Sequence, residues 1–185
     1  MQTIILASAS PRRSELFKRI CSEFDVLAAD IDETPLVNES PEALVMRLAQ
    51  QKAQYVFNKH PNAVVLGSDT LIACEEWILG KPKDQDDFMT MMSRLSNRSH
   101  KVHTAVAIMS SRQQLCRIVT SDVSFARITE AEALAYWHSG EPQDKAGGYA
   151  IQGLGEQFVT HISGSYSAIV GLPLYETKQM LETFR

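Results

Sequence analysis

Two arginines occupy a place in this chain where arginine is normally disfavoured. Arg12 and Arg13 follow Ser8-Ala9-Ser10-Pro11, which follows the apolar run Ile4-Ile5-Leu6-Ala7. The run reads as a short buried strand, Pro11 as the first residue of a helix and Ser10 as its cap. The arginines then fall in the first helical turn. Free backbone N–H groups and the helix dipole favour an anion there and disfavour a cation. Solvated surface charge is one explanation; a bound polyanion that outweighs the dipole is the better one.

A few other charged residues break local expectation. Asp69, in Gly67-Ser68-Asp69-Thr70, comes at the end of the buried strand Ala63 to Leu66. Open α/β sheets present ligand-binding groups at such ends. Lys52 lies four residues after Leu48, on the apolar side of its helix; a lysine there ordinarily snorkels at the edge of the core. Lys81, in Gly80-Lys81-Pro82, sits in a tight turn whose backbone can approach a ligand closely. Asp32-Glu33 falls in a loop with nothing basic near it in sequence, and solvation is the ordinary reading of such a pair.

Other patterns carry less. His100 and His103 lack a third ligand nearby, so a zinc site is not expected. Gly164-Ser165-Tyr166 lacks the second glycine of a nucleophile elbow. Gly80-Lys81-Pro82 lacks the glycine spacing of a phosphate-binding P-loop, and Gly153-Leu154-Gly155 lacks the strand and helix that flank a dinucleotide fingerprint.

The elements that must position these groups form an α/β alternation. Helices are expected from Pro11 to Ile20, from Ser40-Pro41-Glu42 onward through Tyr55, and from Asp84 through Leu95. Thr129 and Glu132 make a capping box for a helix through His138, and Leu174 to Phe184 closes the chain. Strands are expected at Ile4–Ala7, Ala63–Leu66 continuing at Leu71–Cys74, Val102–Met109, Leu115–Ile128 and Phe158–Ile162. Gly147 to Gly155 reads as a glycine-rich loop.

Composition bounds the function. At 185 residues and 44% hydrophobic, the chain fits one domain over residues 1–185 with a substantial core. A formal net charge of −4 argues against a nucleic-acid surface. No run is long enough to span a membrane, no leader precedes the first strand, and Cys21, Cys74 and Cys116 show no metal-site spacing. A cytoplasmic protein with buried thiols is the expectation.

Taken in order, several segments resemble the Maf family of nucleotide pyrophosphatases. They are Ser8 to Arg13, Asp32-Glu33, Lys52-Ala53, Gly67 to Thr70, Gly80-Lys81-Pro82, Asp144-Lys145-Ala146-Gly147-Gly148-Tyr149-Ala150-Ile151-Gln152-Gly153, and Val170-Gly171-Leu172-Pro173. The resemblance spans the first strand to the terminal helix. It implies a mixed, twisted central sheet with flanking helices and two lobes around a deep cleft, similar to inosine triphosphate pyrophosphatases. It also implies hydrolysis of a nucleoside triphosphate to the monophosphate and pyrophosphate with a divalent metal. Arg12, Thr70 and Gln152 resemble the dTTP/UTP branch, with modified pyrimidine nucleotides and a house-cleaning role as extensions of it. Gly148 and Ala150 exchange the small residues expected around Tyr149, and Ala105 stands for a common glycine.

On that resemblance Arg13, Lys52 and Lys81 neutralise phosphate oxygens. Glu33 and Asp69 offer hard oxygens to Mg²⁺ or Mn²⁺, and Asp69 is the base that orients or deprotonates the attacking water. Ser8, Arg12, Thr70 and Gln152 are the expected substrate contacts. The Gln152 amide has a donor and an acceptor to match a uracil or thymine edge. The partner is then the nucleotide itself, with a homodimer left open. Two other readings are a nucleotide-binding regulator of cell division with little turnover, and an interaction protein whose loops only shape a surface.

Overall fold

The structure, a computed structural model, describes residues 2–184. In chain order the elements are β1 (Ile4–Ala7), α1 (Pro11–Lys18), β2 (Asp25–Val26), α2 (Pro41–Phe57), β3 (Val64–Cys74), β4 (Trp77–Leu79) and α3 (Gln85–Leu95). There follow β5 (Ser99–Met109), β6 (Gln114–Phe125), α4 (Glu130–His138), β7 (Val159–Ser163), α5 (Tyr166–Val170) and α6 (Leu174–Glu182). The described residues form one seven-stranded mixed sheet in the order β2-β1-β3-β5-β6-β7, with β4 added to β3. The expected α/β class with a mixed sheet and flanking helices is what the chain adopts. Two compact units divide it. Leu71–His103 and Thr120–Val170 make the second, and the other described residues make the first.

In the first unit β1 pairs in parallel with β2 and with the first part of β3, from Ile4↔Val64 to Ala7↔Gly67. Val65, Leu66, Leu6 and Ala7 are wholly buried, as parallel strands covered on both faces require. α2 connects β2 to β3 and opens as its sequence demands. The Ser40 side chain accepts the Ala43 N–H and Pro41 takes the first turn. Its apolar face, Leu44, Val45, Leu48, Ala49, Ala53 and Val56, is buried.

Gly67 sets how closely α2 can approach. A Cβ added there would lie 2.3 Å from the Ala49 carbonyl oxygen and 2.6 Å from the Ala53 nitrogen. Only hydrogen fits between strand and helix backbone at that point. The approach delivers the residue between those two contacts, Lys52, to the strand.

In the second unit the later part of β3 makes a hairpin with β4, Ile72↔Leu79 to Cys74↔Trp77. β7 pairs antiparallel with β6. Asp84 caps α3 through the Asp87 N–H, and Thr129 with Glu132 forms the expected capping box on α4. Phe88, Met92, Leu95, Val123, Tyr149 and Phe158 are among the buried residues of its core.

Several boundaries differ from the sequence reading. Gly67 to Thr70 does not end a strand: β3 runs unbroken from Val64 to Cys74, so Asp69 lies inside it. The end that matters belongs to the neighbour, since β1 stops at Ala7 opposite Gly67. α1 stops at Lys18, two residues early, because Arg19 and Ile20 close tighter turns onto Leu16 and Phe17. β2 is only two residues long and β4 three, too short for periodicity to show.

Replacing Gly67 by alanine must push α2 off β3. Overpacking of this kind costs about 1–3 kcal/mol, and for a chain of this size each kcal/mol lowers Tm by about 2–4 °C. Scanning calorimetry of Gly67→Ala should show that loss; an unchanged Tm would mean the helix can withdraw freely.

Candidate active site

The site of the first unit is built where β1 hands over to α1. Ser8 is buried. Its N–H donates to the Leu6 carbonyl at 3.0 Å, and its Oγ accepts the Ser10 N–H at 3.1 Å. Ser10 Oγ in turn accepts the Arg13 N–H at 3.4 Å. These bonds wind the chain tightly into the helix and leave Arg12 and Arg13 half-buried in its first turn.

Arg13 reaches away from its own helix. Its Nε donates to the Gly171 carbonyl at 2.9 Å and its Nη2 to Thr70 Oγ1 at 3.2 Å. Burial pulls the guanidinium below its ordinary pKa; Asp69 opposes the shift and Arg12 adds to it. The residue stays charged, as arginine does in proteins.

Lys52 is 8% exposed and does not snorkel. Its Nζ donates to Asp69 Oδ1 at 2.6 Å and meets Glu33 Oε1 at 2.7 Å. The two carboxylates converge on one ammonium. They are unequal: the Asp69 side chain is 10% exposed and the Glu33 side chain 57%. The Asp69 contact therefore carries the charge pairing that a buried lysine needs, and the Glu33 contact is softened by solvent.

The loop that carries Glu33 is tied down by residues that sequence reasoning missed. Arg47 on α2 grips Glu39 with two bonds, Nε to Oε1 at 2.6 Å and Nη2 to Oε2 at 2.8 Å. The same Nη2 donates to the Thr34 carbonyl at 3.1 Å. Asp32 accepts the Thr34 N–H at 2.9 Å. Arg47 holds the Glu39 carboxyl down to about 2, and the Thr34 bonds keep Asp32 below its ordinary value. The fork geometry of Arg47 was the available signal, but its partner lies eight residues back in a loop.

Lys81 and Gln152 belong to the second unit and are exposed. Gly80-Lys81-Pro82 is not the expected tight turn but an irregular segment after β4, and the Gly147 N–H donates to the Gly80 carbonyl at 2.9 Å, which joins it to the glycine-rich segment. Gln152 rides on a loop ordered by Glu141. That carboxylate accepts the Tyr136 hydroxyl at 2.6 Å, the Leu154 N–H at 2.9 Å and the Gly155 N–H at 3.0 Å. Burial would raise its pKa, but these donors outweigh that and hold it low. A Cβ at Gly153 would sit 2.2 Å from Glu141 Oε2, so a side chain there would displace that carboxylate. Further along, Tyr149 shares a 2.7 Å hydrogen bond with His100 Nε2, and burial pushes that imidazole down to about 4. His103 bonds Thr120 through Nδ1 at 2.9 Å, so the two histidines of β5 have separate partners.

A divalent cation suits the first unit's carboxylates. Among the described residues no group of three or more His, Cys, Asp and Glu gathers as an ion site. Mg²⁺ characteristically binds through one or two carboxylates and takes its other ligands from phosphates and water. Glu33 and Asp69, already drawn to a common point, fit that pattern.

Such a fold and charge cluster define an α/β protein that buries a lysine between two carboxylates. The chain belongs to the Maf family, matching the family described as Maf-like protein over residues 3–184. It is 52% identical over 182 residues to the dTTP/UTP pyrophosphatase of Pseudoalteromonas atlantica, covering 96% of this chain and 95% of that one. It is 48% identical over 185 residues to the dTTP/UTP pyrophosphatase of Vibrio vulnificus, covering all of both chains. Among solved structures, a HAM1 protein from Coxiella burnetii shares the fold with a TM-score of 0.55 at 16% identity, covering 99% of this chain and 100% of that one. Among the described residues no helix is long and apolar enough to cross a membrane.

The neutral His100 makes stability depend on pH. In the unfolded chain its imidazole takes a proton near 6.5; in the folded chain it does so only near 4. Between those values the unfolded state holds the extra proton, so stability falls as pH falls. From pH 7 to 5 the wild type should lose about 2 kcal/mol more than His100→Gln, an amide that can still bond Tyr149. Urea unfolding at both pH values checks this; parallel losses would remove His100 as the cause.

Proposed function

We propose that this protein hydrolyses dTTP and UTP to the nucleoside monophosphate and pyrophosphate. The observation that carries the reading is the buried Lys52 ammonium shared by Asp69 and Glu33, with the Arg13 guanidinium close enough to feel both carboxylates. The activity borne in the names of the Pseudoalteromonas and Vibrio relatives supports it.

Each group has a task that its chemistry allows. Arg13 and Arg12 meet phosphate oxygens, aided by the N–H groups at the start of α1. Asp69 orients and deprotonates the water that attacks the α-phosphorus. Lys52 aims that carboxylate through their 2.6 Å hydrogen bond, and its own charge offsets the repulsion between Asp69 and the substrate. Glu33 and Asp69 would hold Mg²⁺ or Mn²⁺, which supplies Lewis-acid polarisation of a phosphoryl oxygen when bound. In the second unit, Lys81 contributes a further phosphate charge and Gln152 reads the pyrimidine edge. Phosphoryl transfer depends on positioning and charge stabilisation more than on covalent help, so no nucleophilic side chain is required. A regulator that only bound nucleotides would need the cations but not a carboxylate held as a base.

Chromatography of the products from UTP and dTTP tests the reaction: monophosphate and pyrophosphate are expected, and a diphosphate with free phosphate would contradict it. Asp69→Asn, which keeps shape and removes the charge, should lower kcat by about two to four orders of magnitude; near-normal turnover would remove Asp69 as the base. Gln152→Glu leaves acceptors facing the carbonyls of a pyrimidine. It should lower kcat/KM for UTP and dTTP by about tenfold or more, read from steady-state kinetics.

A further inference from the structure

We propose that Thr104 is a positioning residue for this reaction: acting through Thr70, it fixes the Arg13 guanidinium so that one edge remains for a phosphate. This rests on the reading of Arg13 as a phosphate ligand. A guanidinium is planar and presents its five N–H donors along fixed edges. The edge formed by Nε and Nη2 is held by the Gly171 carbonyl and by Thr70 Oγ1. The edge formed by Nη1 and the outer hydrogen of Nη2 is the fork that remains for bidentate contact with a phosphate.

Thr70 can anchor Arg13 only as an acceptor, and its hydroxyl proton must therefore point elsewhere. Thr104 enforces that polarity. Its Oγ1, on a residue with no exposure, donates to Thr70 Oγ1 at 3.0 Å. A hydroxyl has two acceptor positions; Arg13 and Thr104 fill both. Without the Thr104 donor, Thr70 can turn its own O–H toward the cation and lose the contact.

The second anchor is braced from the same strand. Ser68 Oγ donates to the Ala105 carbonyl at 2.8 Å and to the Gly171 carbonyl at 3.2 Å. Gly171 has φ 137°, a region where a side chain is strained. Residues 104 and 105 of β5 thus stand behind both points that hold Arg13.

Thr104→Val keeps the shape of the side chain and removes the hydroxyl; Thr104→Ser restores it. For UTP hydrolysis, Thr104→Val should lower kcat about tenfold with a smaller change in KM, and Thr104→Ser should stay within about twofold of wild type. In an Arg13→Ala background the valine should add no more than about twofold, because both changes remove one function. Thr70→Val, which deletes the acceptor itself, should reproduce the valine effect. A second readout needs no nucleotide: solvent exchange of the Arg13 Nε–H by NMR should be at least about tenfold faster in Thr104→Val and unchanged in Thr104→Ser. Wild-type turnover or exchange in Thr104→Val, or effects that multiply with Arg13→Ala, would overturn the proposal. If the wild-type protein hydrolysed no nucleotide, the functional reading would fall, and the exchange rate alone would decide whether Thr104 holds Arg13.

Discussion

A lysine ammonium that is 8% exposed is costly unless opposite charge meets it. That requirement at Lys52 organises the first unit. Asp69 must stand two residues after Gly67 in β3, on the same face of the sheet, so that its carboxylate meets α2. α2 must lie against β3 at backbone distance, which is why position 67 has no side chain. The loop with Glu33 must return to α2, which the Arg47–Glu39 fork secures. Removing Lys52 would leave the Asp69 carboxylate buried without its ammonium, a change that typically costs about 3–5 kcal/mol. The same charges that stabilise the pair are the ones the proposed chemistry uses.

The second unit solves a different problem with different means. Its glycine-rich segment is pinned by the buried Tyr149 and Ile151 and by polar groups. Glu141 gathers two backbone N–H groups and the Tyr136 hydroxyl. The Tyr136 oxygen also accepts the Ala150 N–H at 3.0 Å. His100 holds Tyr149 as a neutral ring. Where the first unit buries matched charge, this one buries polarity and one carboxylate that its donors satisfy.

The sequence revealed the elements whose signals are local. Caps at Ser10, Ser40, Asp84 and Thr129 all accept the bonds their types predict, because a cap and its N–H donor lie three residues apart. It also singled out Arg13, Lys52 and Asp69 as misplaced charges, and these meet in one unit. What it could not show was the pairing. The ordinary reading of Lys52 was a snorkelling stem, and of Glu33 a solvated carboxylate; the two become partners only when a loop folds back across nineteen residues of chain separation. Glu141 and Tyr136 gave no warning either, since each acts on backbone or on a partner fixed by tertiary packing. The two-residue β2 and three-residue β4 are held by ladder bonds to longer strands, not by their own pattern.

The central claim is that water, oriented by Asp69, attacks the α-phosphorus of a pyrimidine nucleoside triphosphate. Hydrolysis of UTP in ¹⁸O-labelled water, followed by mass spectrometry of both products, tests it most directly. The account predicts one labelled oxygen in the uridine monophosphate and none in the pyrophosphate. Label in the pyrophosphate would place the attack at the β-phosphorus and contradict it.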